Sequence, residues 1–105
     1  MQVNLSGETS KAGTSPEALP ELLEQCSRIE GIHIEGLMTL PAPADELAQQ
    51  RDPFAELRRL RDRLATPALP LETLSMGMSH DLEAAVAEGA TMVRIGTAIF
   101  GERPR

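Results

Sequence analysis

Leu71-Glu72-Thr73-Leu74-Ser75-Met76-Gly77-Met78-Ser79-His80-Asp81-Leu82-Glu83-Ala84-Ala85-Val86-Ala87-Glu88-Gly89-Ala90-Thr91-Met92-Val93-Arg94-Ile95-Gly96 reads as one strand–helix–strand unit. Leu71 to Met76 is a short apolar run of strand length. Ser79 is placed to cap a helix whose stripe is Leu82, Ala85 and Val86 and whose end is Gly89. Thr91 to Ile95 is a second short strand, followed by Gly96 to Gly101.

The same alternation continues toward the N-terminus. Asp52-Pro53 offers a cap and a first-turn proline, and Phe54, Leu57, Leu60 and Leu64 form an apolar stripe closed by Pro67 and Pro70. Arg58, Arg59, Arg61, Asp62 and Arg63 fill the other faces. Gly31 to Leu40 is a strand stopped by Pro41 and Pro43. Before it, Leu19, Leu22, Leu23 and Cys26 share one helical face. That helix starts either at Ser15-Pro16 or at Pro20, because Pro20 inside a helix loses a hydrogen bond. Ser6 to Ser15 is a polar loop with Gly7 and Gly13. Met1-Gln2-Val3-Asn4-Leu5 alternates as a strand does.

The expected elements are strands near 1–5, 32–39, 71–76 and 91–96 and helices near 16–29, 53–65 and 79–88. Strands alternating with helices pair in parallel, because each crossover returns the chain to the same end of the sheet. Two folds satisfy this order: an open doubly wound sheet, or a stretch of a (β/α)8 barrel. Both place ligands beyond the carboxyl ends of the strands.

Composition narrows the function classes. The 105 residues set an expectation of one domain. A formal charge of −6 argues against a phosphate backbone as partner, and two phenylalanines supply no base-stacking platform. No apolar run approaches the roughly 18 residues of a membrane span, and Met1 to Ser10 lacks the order of a secretory signal. The single cysteine, Cys26, makes neither an internal disulfide nor a Cys-rich zinc cage, so a reducing cytoplasm is the default.

Chemistry concentrates after the last two strands. Ser75-Met76-Gly77-Met78-Ser79 combines a strand end, a glycine and a helix start, the ingredients of an anion site. On spacing alone it reads more readily as a Ser-capped helix after a turn, with Asp81 and Glu83 satisfying the helix dipole and repelling phosphate. Arg94-Ile95-Gly96-Thr97 is the second segment. An arginine in an apolar strand needs a partner, either a carboxylate or a ligand, and the Gly96 and Thr97 amides could hold an anion above it. Asn4 could face the same mouth, or simply form a turn. Met38 ends the second strand and reads as core.

Other residues carry less. Ser79-His80-Asp81 holds the residue types of a serine triad, but consecutive residues cannot relay to one another. Gly77-x-Ser79 lacks the second glycine of a nucleophile elbow. His33 and His80 have no companion at metal spacing. Cys26 packs as a small hydrophobe.

Residues 75–85 and 89–101 closely resemble the end of the pyridoxal phosphate homeostasis protein family, single-domain relatives of the alanine racemase barrel domain. Gln2-Val3-Asn4 with Glu8, Lys11 and Gly13, and Gly36-Leu37-Met38 followed by Pro41, match its pattern too. The resemblance implies an α/β fold, the C-terminal half of a (β/α)8 barrel, with about four parallel strands and their crossover helices. It implies pyridoxal 5′-phosphate as cofactor, with Ser75, Gly96 and Thr97 on the phosphate and Arg94 facing the pyridine nitrogen, beside Asn4 and Met38. It implies a non-catalytic role in cofactor supply. The family's Schiff-base lysine lies on the first barrel strand, whereas the lysine here, Lys11, matches a loop after the fifth, so the chain is expected to lack the covalent attachment point. The alternatives are a fragment of a racemase-like enzyme and a non-functional remnant. A half-barrel leaves two raw strand edges and a bare inner face carrying Met92 and Arg94, so pairing with itself or with an N-terminal half-barrel is expected.

Overall fold

The computed structural model describes residues 1–6 and 12–102. Glu8 and Lys11, and half of the loop expected over 6–15, lie outside them. The elements run α1 (Leu19–Ser27), β1 (Gly36–Met38), α2 (Leu47–Leu64), β2 (Thr73–Met78), α3 (Leu82–Ala87), β3 (Met92–Arg94) and α4 (Thr97–Phe100). The sheet order is β1-β2-β3, with every pair parallel. Residues Met1–Val3 extend it beside β1 through a parallel bridge from Gln2 to Met38, in which Val3 N–H donates to Met38 O at 2.8 Å.

Strand order therefore follows chain order, without the reversal that defines a doubly wound sheet. The helices also pack on one side. Leu19 and Leu23 of α1, Phe54, Leu57 and Leu60 of α2, and Ala84 and Ala85 of α3 share one buried cluster with Val3, Leu37, Leu74 and Met76 of the strands. The two strand residues Leu37 and Leu74 are register partners on that covered side. Among the described residues, no helix contributes to the opposite face, which carries the row Gln2, Met38, Ser75 and Met92. One covered face and sequential order are what a (β/α)8 barrel uses.

Most helices follow their hydrophobic period, but ends and one stripe differ. α1 starts at Leu19, close to the second of the two expected starts, with Pro20 in its first turn and a separate turn before it in which Ala18 N–H donates to Ser15 Oγ at 3.2 Å. α2 starts at Leu47, not at Pro53, which becomes an interior residue. Side-chain bonds, one local and one tertiary, hold the extra turns: Gln50 Nε2 donates to Ala44 O at 2.8 Å, and Arg51 Nε to Glu88 Oε2 at 2.6 Å. α3 buries Ala84 and Ala85 while Val86 is 61% exposed, so the expected stripe is rotated. The cause is close approach: a Cβ on Gly77 would lie 2.4 Å from the Ala85 Cβ, so only small side chains fit between β2 and α3.

The strands are shorter than their sequence patterns. Residues 32–35 form no strand, and their backbone meets the sheet only through Thr73 N–H to Glu35 O, because β2 begins only at Thr73. Leu71, expected to open that strand, is fully buried with φ +51°, a left-handed conformation that breaks pairing. Arg61 Nη1 donates to its carbonyl at 3.3 Å. Along Met1–Leu5 only isolated bridges form. One of them changes the expected edges: Thr14 bridges to Val3 on the side away from β1, with Asn4 N–H on Thr14 O at 2.7 Å and Thr14 N–H on Gln2 O at 2.9 Å. That edge is covered at its carboxyl end, whereas among the described residues β3 pairs only with β2.

Candidate functional site

β2 carries a bulge. Ser75 pairs with Met92 and Met78 with Arg94, so three steps on β2 match two on β3. Gly77 absorbs the extra residue at φ +101°. Bulges beside sites re-aim side chains, and this one brings Arg94 level with the last residue of β2. From there Arg94 reaches back across the sheet, and its Nη2 donates to Thr39 O at 3.1 Å, just past the end of β1. Arg94 Nε is inaccessible to solvent and has no partner among the described residues. The sequence demanded a partner for this cation; the structure supplies a backbone carbonyl in place of a carboxylate and leaves one buried nitrogen without a partner.

Beyond the strand ends lies a cleft of about 620 Å³, within the range of small-molecule sites. Met78 and Ser79 form one wall, and Gly96, Thr97 and Phe100 another. The two turns meet directly: Ala98 N–H donates to Ser79 Oγ at 3.0 Å. Ser79 thus satisfies an amide in the first turn of α4 and does not cap α3. Asp81 does not cap α3 either; its Oδ1 accepts the Met78 N–H at 2.7 Å. The carboxylate thereby tightens the β2–α3 turn beside the cleft. His80 also lines the cleft, and its Nε2 lies 2.9 Å from Ala44 O, joining the 41–46 loop to this turn.

Of the six expected contact residues, Gly96 and Thr97 line the cleft. Met38 and Ser75 are register partners on the bare face, with Arg94 farther along the same face on β3. Ser75 sits in the ladder below the cleft and does not line it. Asn4 lies on the far strand, about 14 Å from β3 by three interstrand spacings of about 4.8 Å; its Oδ1 accepts from Ser6 Oγ at 3.1 Å. Sequence reasoning passed over Thr39, and it read Ser79 as part of an anion turn or as a helix cap, not as the partner of Ala98. Their partners, Arg94 and Ala98, are 55 and 19 positions away, so no local spacing signals them. Among the described residues no group of three or more His, Cys, Asp or Glu side chains could hold a metal ion.

Comparison with known proteins places this geometry. The family described as alanine racemase, N-terminal domain, matches residues 1–104. The pyridoxal phosphate homeostasis protein of Pseudomonas aeruginosa is 54% identical over 103 residues, covering 98% of this chain and 44% of the relative. That of Aquifex aeolicus is 47% identical, covering 98% of this chain and 46% of the relative. The chain thus spans under half the length of these relatives. Among solved structures, PipY of Synechococcus elongatus without PLP superposes with a TM-score of 0.86 at 41% identity, over 96% of this chain and 48% of that one. The PLP-bound form of PipY gives 0.79 at 39% identity, over 96% and 47%. With a family match over nearly its whole length, the chain belongs to the alanine racemase N-terminal domain family.

Proposed function

We propose that this chain binds pyridoxal 5′-phosphate in the manner of a cofactor-homeostasis protein and catalyses no reaction on it. The observation that carries this reading is Arg94: a cation on the bare face of a parallel sheet, held by one bond to Thr39 O, with its Nε–H left without a partner. A donor of this kind fits a ligand that brings an acceptor, and an unprotonated pyridine nitrogen is one. Gly96 and Thr97 suit the phosphate, because both line the cleft at the end of the same strand. Ser79, already on the adjoining Ala98 amide, fixes the distance between the two walls. Ser75 and Met38 form the floor on the bare face, and Asn4 marks its far side.

Pyridoxal phosphate supplies an electron-withdrawing ring when it is bound. A guanidinium donating to the ring nitrogen keeps that nitrogen unprotonated and weakens the ring as an electron sink. Arg94 therefore suits storage or delivery better than turnover. The names of the curated relatives, pyridoxal phosphate homeostasis protein, agree with that role. The fold is read as the C-terminal half of a (β/α)8 barrel, whose bare face and open β3 edge call for a covering partner: an N-terminal half-barrel or a second copy. No described helix is long and apolar enough to cross a membrane. A cytoplasmic setting suits a chain with the single cysteine Cys26.

Calorimetric titration with pyridoxal 5′-phosphate and with pyridoxal tests the reading. The phosphorylated form should bind at least about tenfold more tightly, as charge-assisted hydrogen bonds to one anion provide. Equal affinities would remove the phosphate site, and alanine racemisation above background by the pure chain would remove the non-catalytic role.

A further inference from the structure

Thr39 makes bonds to three different strands. Its N–H donates to Ser75 O of β2 at 3.2 Å, its Oγ1 donates to Val3 O at 2.9 Å, and its carbonyl accepts Arg94 Nη2 from β3 at 3.1 Å. It is 1% exposed, one of only two polar residues in the buried set of the described chain. Two of these bonds replace regular ladder bonds. With Gln2 opposite Met38, a continued parallel ladder would put Leu40 N–H on Val3 O; Thr39 Oγ1 occupies that acceptor instead. With Met38 opposite Ser75, the same ladder would put Gly77 N–H on Thr39 O. The bulge at Gly77 withdraws that amide, and the Arg94 guanidinium takes its place.

We propose that Thr39 is a positioning residue for Arg94: its hydroxyl ends the β1 ladder so that its carbonyl, freed by the β2 bulge, becomes the seat that aims the guanidinium at the ligand. The inference rests on the reading of Arg94 as a pyridoxal phosphate contact. Without the hydroxyl, Leu40 N–H is free to bond Val3 O, which draws β1 onward and carries the Thr39 carbonyl away from Arg94. Thr39→Val keeps the side-chain shape and removes only the donor. Thr39→Ser keeps the donor and removes a methyl.

The test uses two readouts on the 105-residue chain. The first needs no ligand: the Nε–Hε resonance of Arg94 in a nitrogen–proton correlation spectrum, assigned by its loss in Arg94→Gln. Thr39→Val should shift this resonance and speed its exchange with water, and Thr39→Ser should leave it in place. The second is calorimetric affinity for pyridoxal 5′-phosphate. Thr39→Val should weaken binding about tenfold, the scale of one lost hydrogen bond to a charged group. In the Arg94→Gln background the same change should cost less than about twofold, because coupled residues are non-additive.

An unmoved Arg94 resonance in Thr39→Val, or a loss of affinity that persists without Arg94, would overturn the proposal and leave Thr39 a packing residue. If Thr39→Val does not fold, Thr39→Ser decides: a shifted Arg94 resonance there shows that burial of the methyl, not the hydroxyl, sets the geometry. If the resonance behaves as expected but no variant, the parent included, binds pyridoxal phosphate, the positioning role stands and the functional reading falls.

Discussion

Replacing Gly77 by alanine should destabilise this chain through two separable terms. Gly77 has φ +101°, where an L side chain is strained; a left-handed non-glycine residue costs roughly 1–2 kcal/mol. The added Cβ would also stand 2.4 Å from the Cβ of Ala85, far inside contact distance. Overpacking of this kind typically costs about 1–3 kcal/mol. The sum, about 2–5 kcal/mol, is a large share of the roughly 5–15 kcal/mol of an ordinary domain. Urea unfolding followed by far-ultraviolet circular dichroism measures it. With a slope near 1.5 kcal/mol per molar, the midpoint should fall by about 1–3 M. Adding Ala85→Gly separates the terms: it removes the clashing methyl, leaves the φ strain, and itself costs about 1 kcal/mol as a helix glycine. The double variant should therefore cost less than the sum of the two single ones. A Gly77→Ala chain within about 0.5 kcal/mol of the parent, the range of an inert surface change, would refute the close-packing argument.

The Glu88 carboxyl is held below its ordinary value of 4.5 first by the hydrogen bond from Arg51; burial opposes this, and the charges of Arg51, Arg58 and Arg59 add to the lowering. Its stabilisation is therefore complete above the ordinary carboxylate range and is lost as pH falls through the lowered folded value. The Tm difference between the parent and Glu88→Gln should be present at neutral pH and shrink in acid below 4.5; a gap independent of pH would remove this clamp between α2 and α3. The bare sheet face and the open β3 edge should make the chain associate. Light scattering at micromolar concentration should give a mass above the 11.4 kDa of one chain, and a monodisperse monomer melting cooperatively above about 60 °C would count against the half-barrel reading.

Local periodicity carried the helices. Phe54, Leu57 and Leu60 are buried as their spacing requires, and the last βα unit is recognisable from residues 71–96 alone. Periodicity fails where a neighbour sets the outcome. Val86 is the most apolar residue near the end of α3, yet Ala84 and Ala85 face the sheet because Gly77 leaves room only for methyls. Strand ends are likewise set by partners: Ile32 is 53% exposed, and no described strand pairs with it. At the candidate site, Arg94, Gly96 and Thr97 were legible because a cation and a glycine turn at a strand end are unusual in themselves. Thr39 was not, and Ser79 was legible as a turn residue but not as the partner of Ala98. Their hydroxyls act on backbone groups far away in sequence, and nothing in the neighbouring residues encodes that distance.

Were copies of this chain to associate through strand edges, the Thr14 bridge would set how far the association could proceed. Two copies meeting β3 to β3 form a two-fold pair that uses up both open edges and stops. A contact of β3 on the Met1–Val3 edge of the next copy is heterologous, and repetition of it without closure builds a fibre. Thr14 O and N–H already occupy Asn4 N–H and Gln2 O on that second edge. A few atoms of one threonine backbone would thus favour finite assemblies over open-ended growth.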